Sequence, residues 1–286
     1  MPEGVSLRGR VCVVTGASSG IGKETARGLA RLGATVAMIC RDRERGLAAQ
    51  AEIGREAPVP PELFLADLSS LAEVRRVAAE IRDRFAAVHV LVNNAGGIFG
   101  RRELTVDGHE RTFALNHLAY FLLTHELLDA LKRGAPARVV SVASAAHRVG
   151  TLDFDDLGLA RRYAPFRAYG RSKLANILFT RELARRLAGT GVTANCLHPG
   201  TIASNFGRSG SRAFAFLVRL GRPFLLGTVR GARTSLYLAA SPEAAQVTGQ
   251  YFVRCRLTQP SRRARDPELA RRLWELSADI CGVAPA

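Results

Sequence analysis

Seven short apolar runs, rich in β-branched residues, recur along this chain, and helical patterns separate them. They are RVCVVTG (10–16), ATVAMIC (34–40), ELFLADL (62–68), VHVLVNNAG (88–96), RVVSVAS (138–144), VTANCLHPG (192–200) and GQYFV (249–253). Between them, apolar residues repeat at helical spacing near 20–32, 43–56, 70–86, 107–131, 167–188 and 228–240. A strand that is apolar on both faces has to be covered on both, which parallel strands with helical crossovers achieve. The pattern predicts an α/β fold, a doubly wound parallel β-sheet of about seven strands with helices on both faces.

Nothing resembling a linker interrupts the alternation, and 286 residues suit one large domain, so residues 1–286 read as a single unit. Cys12, Cys40, Cys196, Cys255 and Cys281 show no C-x-x-C pairing and read as small core residues, not as a disulfide frame or zinc site. The opening stretch MPEGVSLRGR holds no apolar core, and no later segment runs 18 residues without a charge, so a soluble cytoplasmic protein is expected. A net charge of +16 raises nucleic acid as a partner. The arginines, however, lie in scattered doublets (101–102, 161–162, 185–186, 262–263, 271–272) with few aromatics among them. A solvated basic surface is expected, with no specific nucleic acid and at most peripheral membrane contact.

The first run leads into TGASSGIG (15–22). Gly16, Gly20 and Gly22 permit a tight turn, close approach of a pyrophosphate and close packing of helix on sheet. The helix that follows offers free N–H groups and partial positive charge. With Ser18, Ser19, Ile21 and Lys23 in the same turn, this is the pattern of a Rossmann-fold dinucleotide site. Where an NAD site sets an acidic residue after the second strand, this chain has Cys40 and Arg41, and Asp42 comes one residue late. Arg41 and Lys23 are candidates for gripping a 2′-phosphate, so NADP(H) is expected before NAD(H).

A second stretch, AYGRSKLANILF (168–179), sets Tyr169 and Lys173 four residues apart, hence one turn apart on a helix face. Of 41 basic residues only Lys23, Lys132 and Lys173 are lysines. A lysine kept where arginine is the habit suits a compact point charge, able to depress a neighbouring phenol's pKa and bond a ribose hydroxyl. A solvated lysine beside a core tyrosine is the other reading of the same spacing.

Jointly, TGASSGIGKETA, CRD, ADL, NNAG, ALNHLAYFLLT, VASAAH, YGRSKLAN, HPG and GQYF resemble the short-chain dehydrogenase/reductase family, in its retinol-dehydrogenase-like branch, over residues 8–280. The resemblance implies that Tyr169 is the acid for carbonyl reduction and the base for alcohol oxidation, with Lys173 lowering its pKa. It implies Ser144 as a second donor to the substrate oxygen, with Ser141 the local alternative, and Asn116 as a helix-kinking residue holding a water toward Lys173. It places Asp67 and Leu68 beside the adenine, Asn94, Ala95 and Gly96 along the ribose, and Pro199, Gly200, Ile202 and Ser204 at the nicotinamide carboxamide. The nucleotide-binding half is then about 8–135 and the catalytic and substrate half about 136–286. Ala119 and Tyr120 depart from the glycine and histidine usual there. His117 and His147 lack further ligands at suitable spacing, so no metal is expected.

A homodimer or homotetramer is also implied, built on the Tyr169 helix and the helix near 228–240, with Leu178 and Phe179 as apolar side chains in need of cover. Within a lid of about 201–227, NFGRSGSRAFAFLVRLGRPFLL (205–226) is greasy, so the substrate is expected to be a lipophilic alcohol or its aldehyde or ketone. Two other readings share these residues: a non-catalytic NADP-binding sensor, and a double-bond reductase resembling protochlorophyllide reductase.

Overall fold

The structure, a computed structural model, describes residues 5–200 and 227–284. Its strands are β1 (Val11–Thr15), β2 (Thr35–Cys40), β3 (Glu62–Leu65), β4 (Val90–Asn93), β5 (Ala137–Val142), β6 (Val192–His198), β7 (Tyr251–Val253) and β8 (Arg256–Leu257). They form one sheet in the order β3-β2-β1-β4-β5-β6-β7-β8. Every neighbouring pair is parallel except β7 and β8. Each apolar run of the sequence is thus a strand, and the buried patterns of β1, β2 and β4 are those of strands covered on both sides. The antiparallel β8 is an eighth, short and exposed strand that the polar sequence around it did not announce.

Helices α1 (Gly20–Arg31), α2 (Arg43–Gly54) and α3 (Leu71–Arg84) fall where the spacing put them. The long helix expected over 107–131 is instead divided. It runs as α4 (Arg111–Phe113), a π-helical turn (Ala114–Leu118), α5 (Ala119–Glu126) and α6 (Leu128–Arg133). The π turn carries Asn116, whose side chain is bonded across to Gly97, and such an inserted residue commonly marks a functional site. Then follow α7 (Pro165–Arg186), α8 (Thr228–Ala240) and α9 (Pro267–Cys281).

Helix α9 lies beyond the last helical spacing named above, 228–240. Asp266 caps its N-terminus by accepting from the Glu268 and Leu269 amides, Pro267 opens it, and Gly282 closes it at φ +60°. It lies on α7, where Trp274 stacks on Phe179 at 5.8 Å and meets Phe121 edge-on at 4.9 Å. Such aromatic pairs contribute about 0.5–1.5 kcal/mol each beyond their buried area. Leu178 and Phe179 are therefore covered within the single chain, and the apolar motive for an oligomer on α7 falls away. Burial pushes the Cys12 and Cys196 thiols up to about 12 and Cys40 to about 11, as for core residues. No helix among the described residues is long and apolar enough to cross a membrane.

Candidate active site

The sheet order reverses between β1 and β4, and the crevice beyond their carboxyl ends is where such sheets hold ligands. The turn after β1 is shaped by backbone. Gly16 and Gly20 adopt φ of +66° and +61°. A Cβ on Gly22 would stand 2.3 Å from the Gly16 carbonyl oxygen and 2.4 Å from Asn94 Nδ2. Ser19, the N-cap of α1, makes no side-chain capping bond, and the first turn holds no acidic residue. Those amides remain available to an anion, unlike those of α2 and α9, which aspartates cap. These residues fit a pyrophosphate.

The loop after β4 is fastened to this turn. Thr15 Oγ1 accepts from the amides of Asn94 and Ala95 at 2.8 Å each, and Asn94 Nδ2 donates to the Thr15 carbonyl at 2.8 Å. After β2, Ser18 bonds the Cys40 thiol, and Arg41, next in the chain, is exposed. Asp42 accepts from the Arg45 amide at 2.9 Å as the N-cap of α2. Lys23 Nζ lies 2.9 Å from Glu52 in an ion pair that Arg27 shares. Asp67 accepts from the amide and hydroxyl of Ser69, and Leu68 is buried beside it.

The second cluster lies beyond β5. Ser144 caps the 3-10 turn Ala145–Val149, and its hydroxyl is hydrogen-bonded to the Tyr169 phenol. Lys173, one turn along α7, is buried, donates to the Val142 carbonyl at 2.8 Å, and has Nζ 5.6 Å from the Tyr169 ring centre. Asn116 Oδ1 accepts from the Gly97 amide at 2.8 Å, while its Nδ2 donates to Ser172 Oγ at 2.9 Å. Ser172 in turn donates to the Tyr169 carbonyl, so one asparagine ties the β4 loop to the Tyr169 turn of α7. Pro199 and Gly200 follow β6, with Gly200 at φ +91°.

Electrostatically the cluster is dominated by dehydration. Burial pushes Lys173 down to about 7. Burial also pushes Tyr169 up to about 12, against the Ser144 hydrogen bond, which pulls the other way. The expected depression of the phenol by Lys173 does not show, because burial of Tyr169 itself is the larger influence and raises it.

The sequence pattern described as short chain dehydrogenase matches residues 10–213. The chain belongs to the short-chain dehydrogenase family. Within it, the chain is 45% identical to mouse retinol dehydrogenase 12 over 98% of its own length and 88% of that protein's. It is 43% identical to human retinol dehydrogenase 14 over 97% and 88%. An uncharacterised protein from Mycobacterium Paratuberculosis superposes at a TM-score of 0.81, with 37% identity over 99% of this chain and 97% of that one. The Pseudomonas aeruginosa RhlG/NADP active-site complex superposes at 0.71, with 30% identity over 88% and 97%. The chain is accordingly a short-chain oxidoreductase of the retinol-dehydrogenase-like branch, acting on CH–OH donors.

In this short-chain dehydrogenase the two predicted clusters come to one edge of one sheet. Ser144 contacts Tyr169, whereas Ser141 is buried in β5 with its hydroxyl unpartnered among the described residues. Lys23, a candidate for the 2′-phosphate, is ion-paired with Glu52 in this structure. Asn94 fastens β1 to β4, a holding role that the ribose assignment did not include. Ile202 and Ser204, with the lid segment, lie outside the described residues.

Gly150, Gly170, His147 and Ser261 have positioning roles that the sequence pattern does not announce. A Cβ on Gly150 would stand 2.3 Å from the Gly170 carbonyl oxygen, so these two glycines let the Ser144 turn lie directly on α7. His147 Nε2 accepts from the Ser261 amide at 3.0 Å, which leaves Nδ1 to donate to the Ser144 carbonyl at 2.7 Å. The glycine directly after Tyr169 was the available signal for the first contact. Nothing local announced Ser261.

Proposed function

We propose that this protein interconverts a lipophilic alcohol and its aldehyde or ketone with NADP(H), Tyr169 serving as general acid and base. The observation that carries this reading is the contact of Ser144 with Tyr169 one helical turn from buried Lys173, facing the glycine turn across the same crevice. The bound cofactor supplies a hydride for reduction or accepts one for oxidation. Gly16, Gly20, Gly22 and the free amides of α1 would hold its pyrophosphate, and Lys173 its ribose.

Tyr169 gives its proton to the carbonyl oxygen, while Ser144 donates a second hydrogen bond that holds this oxygen against the phenol. Burial keeps Tyr169 in its acid form through the neutral range, so the proton for reduction is in place. Asn116 keeps the β4 loop and α7 in register around the pair.

The NADP preference is supported by Asp42, whose carboxylate caps α2, and by exposed Arg41, next in the chain to the Cys40 that Ser18 bonds. Solved relatives with NADP bound, RhlG and a Burkholderia cenocepacia dehydrogenase, agree with it. The lipophilic substrate is supported by the apolar sequence of 205–226 and by relatives named for retinol.

The test is cofactor absorbance with a panel of lipophilic aldehydes and ketones. Reduction with NADPH exceeding that with NADH by about tenfold or more, the worth of one charge-assisted phosphate contact, is expected. Equal rates with the two cofactors contradict the 2′-phosphate assignment, and no turnover of any carbonyl contradicts the reaction.

A further inference from the structure

Tyr120 stands where the branch resemblance leads one to expect histidine, and its side chain is almost fully buried, at 1% exposed. Its hydroxyl has no hydrogen-bond partner among the described residues. A phenol kept dry without a partner loses the hydration of its hydroxyl, so some other interaction has to hold it there. The neighbour that supplies one is Lys173, whose Nζ lies over the Tyr120 ring at 5.6 Å, the same distance as over the Tyr169 ring.

Among the described residues, the groups around that ammonium come from four elements. From β5 the Val142 carbonyl accepts its proton at 2.8 Å. From the β4 loop comes Gly96, on which a Cβ would stand 3.0 Å from Asn116 Oδ1 and 3.6 Å from Lys173 Nζ. From α5 and α7 come the two phenols, and no carboxylate among the described residues contributes to its charge balance. A desolvated cation between two aromatic faces is stabilised by their quadrupoles, more strongly than at an exposed site.

We propose that Tyr120 is a positioning residue that clamps the Lys173 ammonium against Tyr169 and keeps it charged in a dry site. The ring does this and the hydroxyl does not. The catalytic meaning of the clamp rests on the proposed Tyr169–Lys173 mechanism, but the clamp itself is measurable without turnover.

Because the chain holds only Lys23, Lys132 and Lys173, protein labelled with carbon-13 at lysine Cε gives three resonances whose titrations can be followed individually. Lys173→Arg identifies the signal, and Lys23 and Lys132 serve as internal references. In Tyr120→Leu the Lys173 titration is expected to move to lower pH by about half to one and a half units, the size of a desolvated cation–π contact. In Tyr120→Phe it should stay within about 0.3 unit of the wild type, because the ring face remains. The alkaline limb of the reduction profile should move with it in Tyr120→Leu and not in Tyr120→Phe.

An unmoved Lys173 in folded Tyr120→Leu overturns the clamp. So does a rise toward the ordinary lysine value, which would mean the ring only kept water out. A shift of equal size in Tyr120→Phe would transfer the effect to the hydroxyl and overturn it as well. If the resonance moves as expected while no carbonyl is turned over by the wild type, the clamp stands and the catalytic reading fails.

Discussion

The turn after β1 is made almost wholly of backbone: two glycines at positive φ, a third with no room for a Cβ, and the uncapped amides of α1. The cluster after β5 is made of side chains, a serine on a tyrosine beside a buried lysine. The first region owes its chemistry to conformation, since unsatisfied N–H groups attract an anion whatever the side chains. The second is marked by dehydration, which raises Tyr169 and lowers Lys173. Substitutions should therefore fail differently at the two ends, in turnover at the second and in cofactor affinity at the first.

The largest effect is expected from Lys173→Met, which should lower kcat by about 100- to 10,000-fold as the cation beside the acid disappears. The same change should raise Tm. The folded chain holds the Lys173 proton less tightly than the unfolded chain, since its pKa falls from the ordinary value to about 7. The destabilisation from a buried ammonium is fully present below pH 7 and fades as pH rises toward the ordinary lysine value. Thermal melts of the two proteins should therefore differ most at pH 6 and converge near pH 10. A variant less stable than the wild type at pH 6 contradicts the dehydrated ammonium.

Ser144→Ala should come next, with kcat down by about 100- to 1,000-fold for loss of one donor to the reacting oxygen. Ser141→Ala, at a hydroxyl that bonds nothing among the described residues, should leave kcat within about twofold. Comparable losses in both would erase the distinction between them.

Gly22→Ala should have the smallest effect on chemistry. The added Cβ meets backbone at 2.3 Å, so the turn has to shift, and cofactor affinity should fall by about tenfold or more while kcat at saturating cofactor changes little. A fall in kcat with unchanged cofactor affinity would reverse the assignment of the two regions.

The elements that alternate in hydrophobicity were legible in the chain, and so was the pairing of Tyr169 with Lys173, because both depend on neighbours along the sequence. The π turn at Asn116 was not, since it depends on Gly97 from another loop. The ion pair of Lys23 was hidden for the same reason, its partner Glu52 lying on α2. The α9 helix did carry readable marks in Asp266, Pro267 and Gly282, and its packing on Phe179 removes the need for a second copy that the apolar face of α7 had implied. The direction of the Tyr169 shift was out of reach, because spacing fixes which groups are adjacent and says nothing of how dry they are.

The central claim is that Tyr169 moves the proton while the glycine turn holds the cofactor. It is tested most directly by Tyr169→Phe, which removes one oxygen from α7, with kcat and the cofactor Kd measured on the same preparation. The prediction is a kcat lower by about 100- to 10,000-fold with the Kd for NADPH within about twofold of the wild type. A fully active Tyr169→Phe protein, or one that has lost NADPH binding, would contradict it.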